Sequence, residues 1–121
     1  MGKILAFQLT EEALQKVTYI AGNLRLPIEA VPVQQFKQAL GEIAEKGEAA
    51  NAAMEYDGEA PEGSLLVFCG LEEKKLDKAL ASIRQNRVEV SYKAILTPTN
   101  QKWNVLRLYA ELEREKRSYE K

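Results

Sequence analysis

The residues with the chemistry to act are few. They are a single cysteine, Cys69, and a polar corner made of Lys93, Thr97, Thr99, Asn100 and Lys102. Cys69 ends the apolar run LLVFC, and Glu72 and Glu73 follow where a helix should begin. A thiol near a helix N-terminus can ionise easily, which is one way a cysteine becomes reactive. Here two carboxylates oppose the thiolate, and the chain has no histidine to take its proton. Cys69 therefore reads as a small buried hydrophobe. In the corner, Thr97, Thr99 and Asn100 precede the last helical pattern, with Lys93 and Lys102 on either side. Free backbone N–H groups there, helped by lysine, would suit a phosphate or carboxylate. The same Thr and Asn side chains would equally serve as ordinary helix caps. No acidic residue follows Asn100 until Glu111, which favours an anion.

Other chemistries are excluded by composition. Without histidine there is no Ser-His or Cys-His pair, no imidazole acid-base catalyst and no histidine metal site. One cysteine allows neither an internal disulfide nor a cysteine-rich zinc site. No glycine-rich phosphate loop is present, so no cofactor is expected. Paired carboxylates, Glu11-Glu12 and Glu72-Glu73, fall in first helical turns, where the helix dipole accounts for them. Trp103 and Tyr109 could stack on bases, but their helical spacing suits core packing better. Arg84, Arg87, Lys93, Lys102 and Arg107 could form a nucleic-acid face, yet they are interspersed with carboxylates.

These residues must be positioned by elements legible in the pattern. The chain has 121 residues, 45% hydrophobic and 29% charged, which is one domain's worth of ordinary globular composition. Ile4–Phe7 and Leu65–Cys69 are continuously apolar, as strands buried on both faces are. After the first, Thr10 is an N-cap, and Ala13, Leu14, Val17, Ile20, Ala21 and Leu24 recur at helical spacing until Gly22-Asn23. After the second, Leu76, Ala79, Leu80 and Ile83 line a helix ending at Asn86. Leu26–Val33 is extended but interrupted by Pro27 and Pro32, which confines it to a sheet edge. Val88–Leu96 alternates apolar and polar residues, as a half-exposed strand does. Phe36, Leu40, Ile43 and Ala44 mark a second helix, and Trp103–Leu112 a final one, with Thr99 or Asn100 as its cap.

The order is strand, helix, strand, helix, then the same again. This predicts a small four-stranded, mostly parallel α/β sheet in the order 2-1-3-4. Its strands 1 and 3 would be central and parallel, doubly wound about a switch point between them. The alternative is a ferredoxin-like α+β sheet. We read one domain, 1–121, in three parts: a first half, 1–46; an acidic, mobile linker, 47–63; and a second half, 64–121. The first half is neutral, with five basic and five acidic residues. The linker carries five acidic residues and no basic ones, and the second half has twelve basic and eight acidic residues. The Ala-rich start of the linker could prolong the second helix.

The second half, through VFCGLEEKKLDKALASIR and YKAILTPTNQKW, resembles a bacterial family known as domain of unknown function 3783. Its members end in a strand, a K-A-hydrophobic-hydrophobic-T-x-x-N element and a Trp-containing helix. That pattern falls on Lys93, Ala94, Ile95, Leu96, Thr97, Asn100 and Trp103. The resemblance covers about the last 58 residues and implies no activity, substrate or cofactor.

No apolar run approaches the roughly 20 residues of a membrane span, and the N-terminus lacks a signal-peptide pattern, so a cytoplasmic protein is expected. The reading that follows is a non-enzymatic α/β module for protein interaction or regulation, with a protein partner or a second copy of itself. The alternatives are anion or small-ligand binding at Thr97–Asn100 and weak nucleic-acid binding by the basic second half. Nothing in the chain is placed for catalysis.

Overall fold

The computed structural model describes residues 2–46 and 55–119. The element order is β1 (Lys3–Phe7), α1 (Glu11–Asn23), β2 (Ile28–Ala30), α2 (Leu40–Lys46), β3 (Leu65–Cys69), α3 (Glu73–Gln85), β4 (Tyr92–Ile95) and α4 (Val105–Tyr119). Short 3-10 turns at Val33–Gln35 and Asn100–Lys102 precede α2 and α4. The chain divides into two compact units, Met1–Val31 with Gly63–Ile95, and Pro32–Glu62 with Leu96–Lys121. Each unit therefore draws one segment from each half.

The first unit holds the sheet, in the expected order β2-β1-β3-β4. β1 and β3 are central because every one of their apolar side chains is buried. Burying each Leu, Ile or Phe contributes roughly 1.5–3 kcal/mol, so no other placement of these two strands competes. β1–β2 and β3–β4 are parallel, but the central pair β1–β3 is antiparallel, contrary to expectation. Apolarity on both faces dictates depth in the sheet and says nothing of direction. Only the two strand-helix-strand segments have the short helical crossover that parallel neighbours need, and both of these pairs are parallel. The link between β2 and β3 is long and leaves β3 free to run either way.

The doubly wound arrangement is corrected by the same fact. Right-handed crossovers that move outward in opposite directions from antiparallel central strands land on one face. Accordingly, Ile4, Ala6, Leu66 and Phe68 share one core cluster with Val17, Ile20 and Ala21 of α1 and Ala79 and Ile83 of α3.

The edge strands are shorter than their apolar stretches. Pro27 and Pro32 flank β2 and hold it to three residues. Val88 and Val90 lie outside β4 but still pack on the core cluster. α1 starts as the sequence indicates: the Ala13 N–H donates to Thr10 Oγ1 at 3.1 Å. It ends through Arg25, which adopts a left-handed conformation, φ 57°. α3 ends the same way through Arg87, φ 51°. Gly70 leaves β3 with φ 64°, where a residue without Cβ carries no penalty.

In the second unit, Phe36 precedes α2 and does not belong to it. The ring of Phe36 stacks on Tyr109 of α4, centroids 6.1 Å apart, amid buried Leu40, Ile43, Val105 and Leu108. An antiparallel bridge pairs Ala39 with Asn104, and the Leu40 N–H donates to Trp103 O at 2.8 Å. Trp103 also lies before its helix. The cap of α4 is Asn104, whose Oδ1 accepts from the Arg107 N–H at 2.8 Å. Beyond Leu112 α4 is charged, with Glu113 and Arg117 paired at 2.7 Å one turn apart. Among the described residues no helix is long and apolar enough to cross a membrane. Residues 47–54 of the linker, including its Ala-rich start, lie outside the described residues. Of the remainder, Glu55 and 57–60 are exposed.

Candidate functional site

The five residues of the polar corner fall in both compact units. Lys93 stands on β4 in the sheet unit, exposed. Thr97, Thr99, Asn100 and Lys102 belong to the second unit. There Thr97 and Asn100 face each other closely. The Thr97 N–H donates to Asn100 Oδ1 at 2.8 Å, and the Asn100 N–H donates to Thr97 Oγ1 at 3.0 Å. The reciprocal pair closes a tight turn and uses up donors that an anion would need. Asn100 is buried by this role, Thr99 makes no capping bond, and Lys102 is exposed. The T-x-x-N element thus acts as a turn lock ahead of α4.

Cys69 is buried at 4% exposure, in register with Lys3 across β1–β3. Burial pushes its thiol from an ordinary 9.0 up to about 11; the ammonium of Lys3 pulls it back a little and Glu29 adds a smaller upward push. Lys3 and Glu29 pair with each other at 3.5 Å. A thiol so placed is protonated at neutral pH and is a poor nucleophile. Among the described residues, no three Cys, Asp or Glu side chains come together as metal ligands would. Of the basic residues, Arg84, Arg87 and Lys93 belong to the sheet unit, and Lys102 and Arg107 to the second. Arg107 covers the Trp103 ring at 4.6 Å, a cation-π contact internal to the second unit.

What the sequence reading missed lies on the sheet's open edge. The Tyr92 N–H donates inward to Ser64 O at 2.9 Å. Backbone groups alternate along a strand, so Lys93 turns its N–H and C=O outward, away from β3. β4 is an edge, and nothing in the order of strands lies beyond it. In register, Lys93 pairs with Leu66 and Ile95 with Phe68, so these four side chains share the face that carries α1 and α3. α3 does not cover that face fully. Phe68, Leu80, Lys93, Ala94 and Ile95 line a groove of about 290 Å³, apolar apart from the lysine. Ile95 is 50% exposed, one of two large hydrophobic side chains so placed among the described residues. The signal was present: in the alternation of Val88–Leu96, Ile95 is an apolar residue on the polar parity of Glu89, Ser91 and Lys93.

A second depression, lined by Thr10, Glu12, Ala13, Lys16, Arg87 and Glu89, is polar but electrically balanced. Glu12 already pairs with Lys16 at 3.7 Å, and Thr10 is engaged as a cap.

A four-stranded mixed sheet with α1 and α3 on one face and an apolar groove beside the edge strand β4 defines a small α/β module. Its second half, residues 64–119, matches the family described as Domain of unknown function (DUF3783). No curated protein and no solved structure matches the chain.

Proposed function

We propose that this protein is a non-enzymatic interaction module that takes an extended, acidic and apolar segment of a partner protein along β4. The observation that carries the reading is the β4 edge. Outward backbone groups at Lys93 can extend the ladder by one strand, which supplies affinity without sequence preference. The groove beside Ile95 and Leu80 accepts an apolar side chain from that strand. Lys93, at the rim of the same face, favours a carboxylate two residues along that strand from the apolar side chain. The second half as a whole carries an excess of basic residues, which steers an acidic segment toward it.

The test is a titration of the isotope-labelled protein with an eight-residue peptide, Ser-Val-Ser-Glu repeated, whose Val and Glu side chains share one face, followed by amide shifts. Shifts should concentrate at Lys93–Ile95 and β3. A peptide with Lys in place of Glu should bind more weakly, and one with N-methylated backbone should not bind. Lys93→Glu should cost roughly fivefold in affinity, the worth of an exposed ion pair of about 1 kcal/mol. Equal binding of the Glu and Lys peptides, or shifts lying elsewhere, would remove β4 as the site.

A further inference from the structure

The two halves of the chain are the same object built twice. β1 and β3 have five residues each, α1 and α3 thirteen each, and each residue of the first set precedes its counterpart by 62 positions. The correspondence extends to details that helix and strand formation do not demand. Left-handed conformations occur at Gln8 and Gly70, and again at Arg25 and Arg87, both pairs at the same spacing. Non-glycine residues adopt this conformation in only a few per cent of cases. The hydrogen bonds that end the helices also match. Leu24 N–H to Ile20 O corresponds to Asn86 N–H to Ser82 O. Likewise Arg25 to Gly22 corresponds to Arg87 to Arg84, and Leu26 to Ala21 corresponds to Val88 to Ile83. Between Val88 and Lys93 the second half has three additional residues. From there the spacing is 65: Ile28 and Lys93 hold equivalent register positions, Ala39 and Asn104 form the bridge, and Leu40 and Val105 start α2 and α4.

The pairing between the halves has the form of a homodimer interface. Under the 62-residue correspondence Leu5 is the counterpart of Val67, and these two pair with each other. Ile4 pairs with Phe68, and their counterparts Leu66 and Ala6 also pair. A contact between i and j that recurs between their counterparts is the mark of an isologous two-fold interface. In the second unit Ala39 pairs with its own counterpart, Asn104. One bond departs from the symmetry: Leu40 donates to Trp103, but Val105 donates to Phe36 and not to Gln38.

We propose that the first half is a diverged copy of the matched half, fused to it, and that β3 with the adjoining face of α3 is a self-pairing surface, occupied by β1 in the intact chain and able to take β3 of a second copy once β1 is removed. Such a pair would be centred on Val67, placing Leu66 opposite Phe68 and Leu65 opposite Cys69, all apolar. It would be weaker than the pairing within the chain. α1 and α3 pack together, and at the positions where α1 brings Ala13, Val17 and Ile20, α3 brings Lys75, Ala79 and Ser82.

The experiment uses the full chain with a protease site placed in the exposed 57–60 stretch. Cleaved while folded, the two fragments should remain a 1:1 complex by native mass spectrometry. Unfolded in urea and refolded, the mixture should yield that complex as the major species together with a dimer of second-half fragments, which grows as the second fragment is added in excess. In a Leu65→Cys chain, oxidation should link second-half fragments through positions 65 and 69 only after cleavage and refolding, because within the intact chain these residues pair with Phe7 and Lys3. If native mass spectrometry of the refolded parent finds the second fragment only with the first, or only as monomer, the self-pairing surface does not exist.

Discussion

The two halves share a scaffold and differ at their outer edges. β2 is three residues long, closed in by Pro27 and Pro32, with Glu29 tied to Lys3 of its neighbour. β4 is four residues long, has no proline within it, and presents a groove. At the position of Lys93 the first half has Ile28, half-buried against the core; at the position of Ile95 it has Ala30. The strand lengths, helix lengths and left-handed exits persist because a shared backbone path constrains them. The edges are free of that constraint, and there β2 is short and flanked by prolines while β4 borders an apolar groove. The core differs in the same way, since Ala6 and Phe7 of β1 stand where β3 has Phe68 and Cys69.

That comparison can be broken most forcefully in the core. Phe68 occupies the place whose counterpart is Ala6, so the aromatic volume on the helix-bearing face belongs to the second half alone. Phe68→Ala should cost about 3–5 kcal/mol in urea-induced unfolding. A loss below about 1 kcal/mol would mean that the ring does not fill the space between the halves.

A smaller effect distinguishes Cys69 from its counterpart Phe7. The folded thiol titrates near 11 and the unfolded one near 9.0. Above pH 9 the unfolded chain loses this proton first, so the contribution is complete below pH 9 and declines as pH rises toward 11. The decline amounts to about 2–3 kcal/mol. Cys69→Ala should remove this part of the pH dependence while lowering stability uniformly. The parent thiol should react slowly with an aromatic disulfide until denaturant is added; fast reaction in the native protein would place Cys69 outside the core.

The smallest effect tests the sameness of the halves. Arg25 and Arg87 both carry a left-handed backbone with a side chain that disfavours it. Arg25→Gly and Arg87→Gly should each raise the unfolding free energy by about 0.5–1 kcal/mol, with equal gains. Unequal gains would show that the two helix exits bear different strain, and that their matched geometry is superficial.

Much of this was legible before the structure. The doubly apolar runs located β1 and β3 at the centre, the prolines sent β2 to an edge, and Thr10 marked the start of α1. Strand direction was not legible, because a fully buried strand has the same hydrophobic pattern read either way. Nor were the left-handed exits, where arginine stands in a place that usually carries glycine. The start of α4 was misjudged because Thr97 and Asn100 bond to each other before any helix begins, leaving the cap to Asn104. The corner residues drew attention by type, whereas the groove at β4 depended on how far α3 extends over the sheet, a matter of packing that no local pattern encodes.

An edge able to accept a foreign strand can also accept its own, and such edges are where folded proteins begin to aggregate. β4 meets this hazard with Lys93. Were two copies to join edge to edge about a two-fold centred on that residue, two ammonium groups would stand directly opposite, a costly pairing. Lys93 would then serve solubility as much as the proposed recognition: a charge that would favour an acidic segment would also turn away another copy of β4.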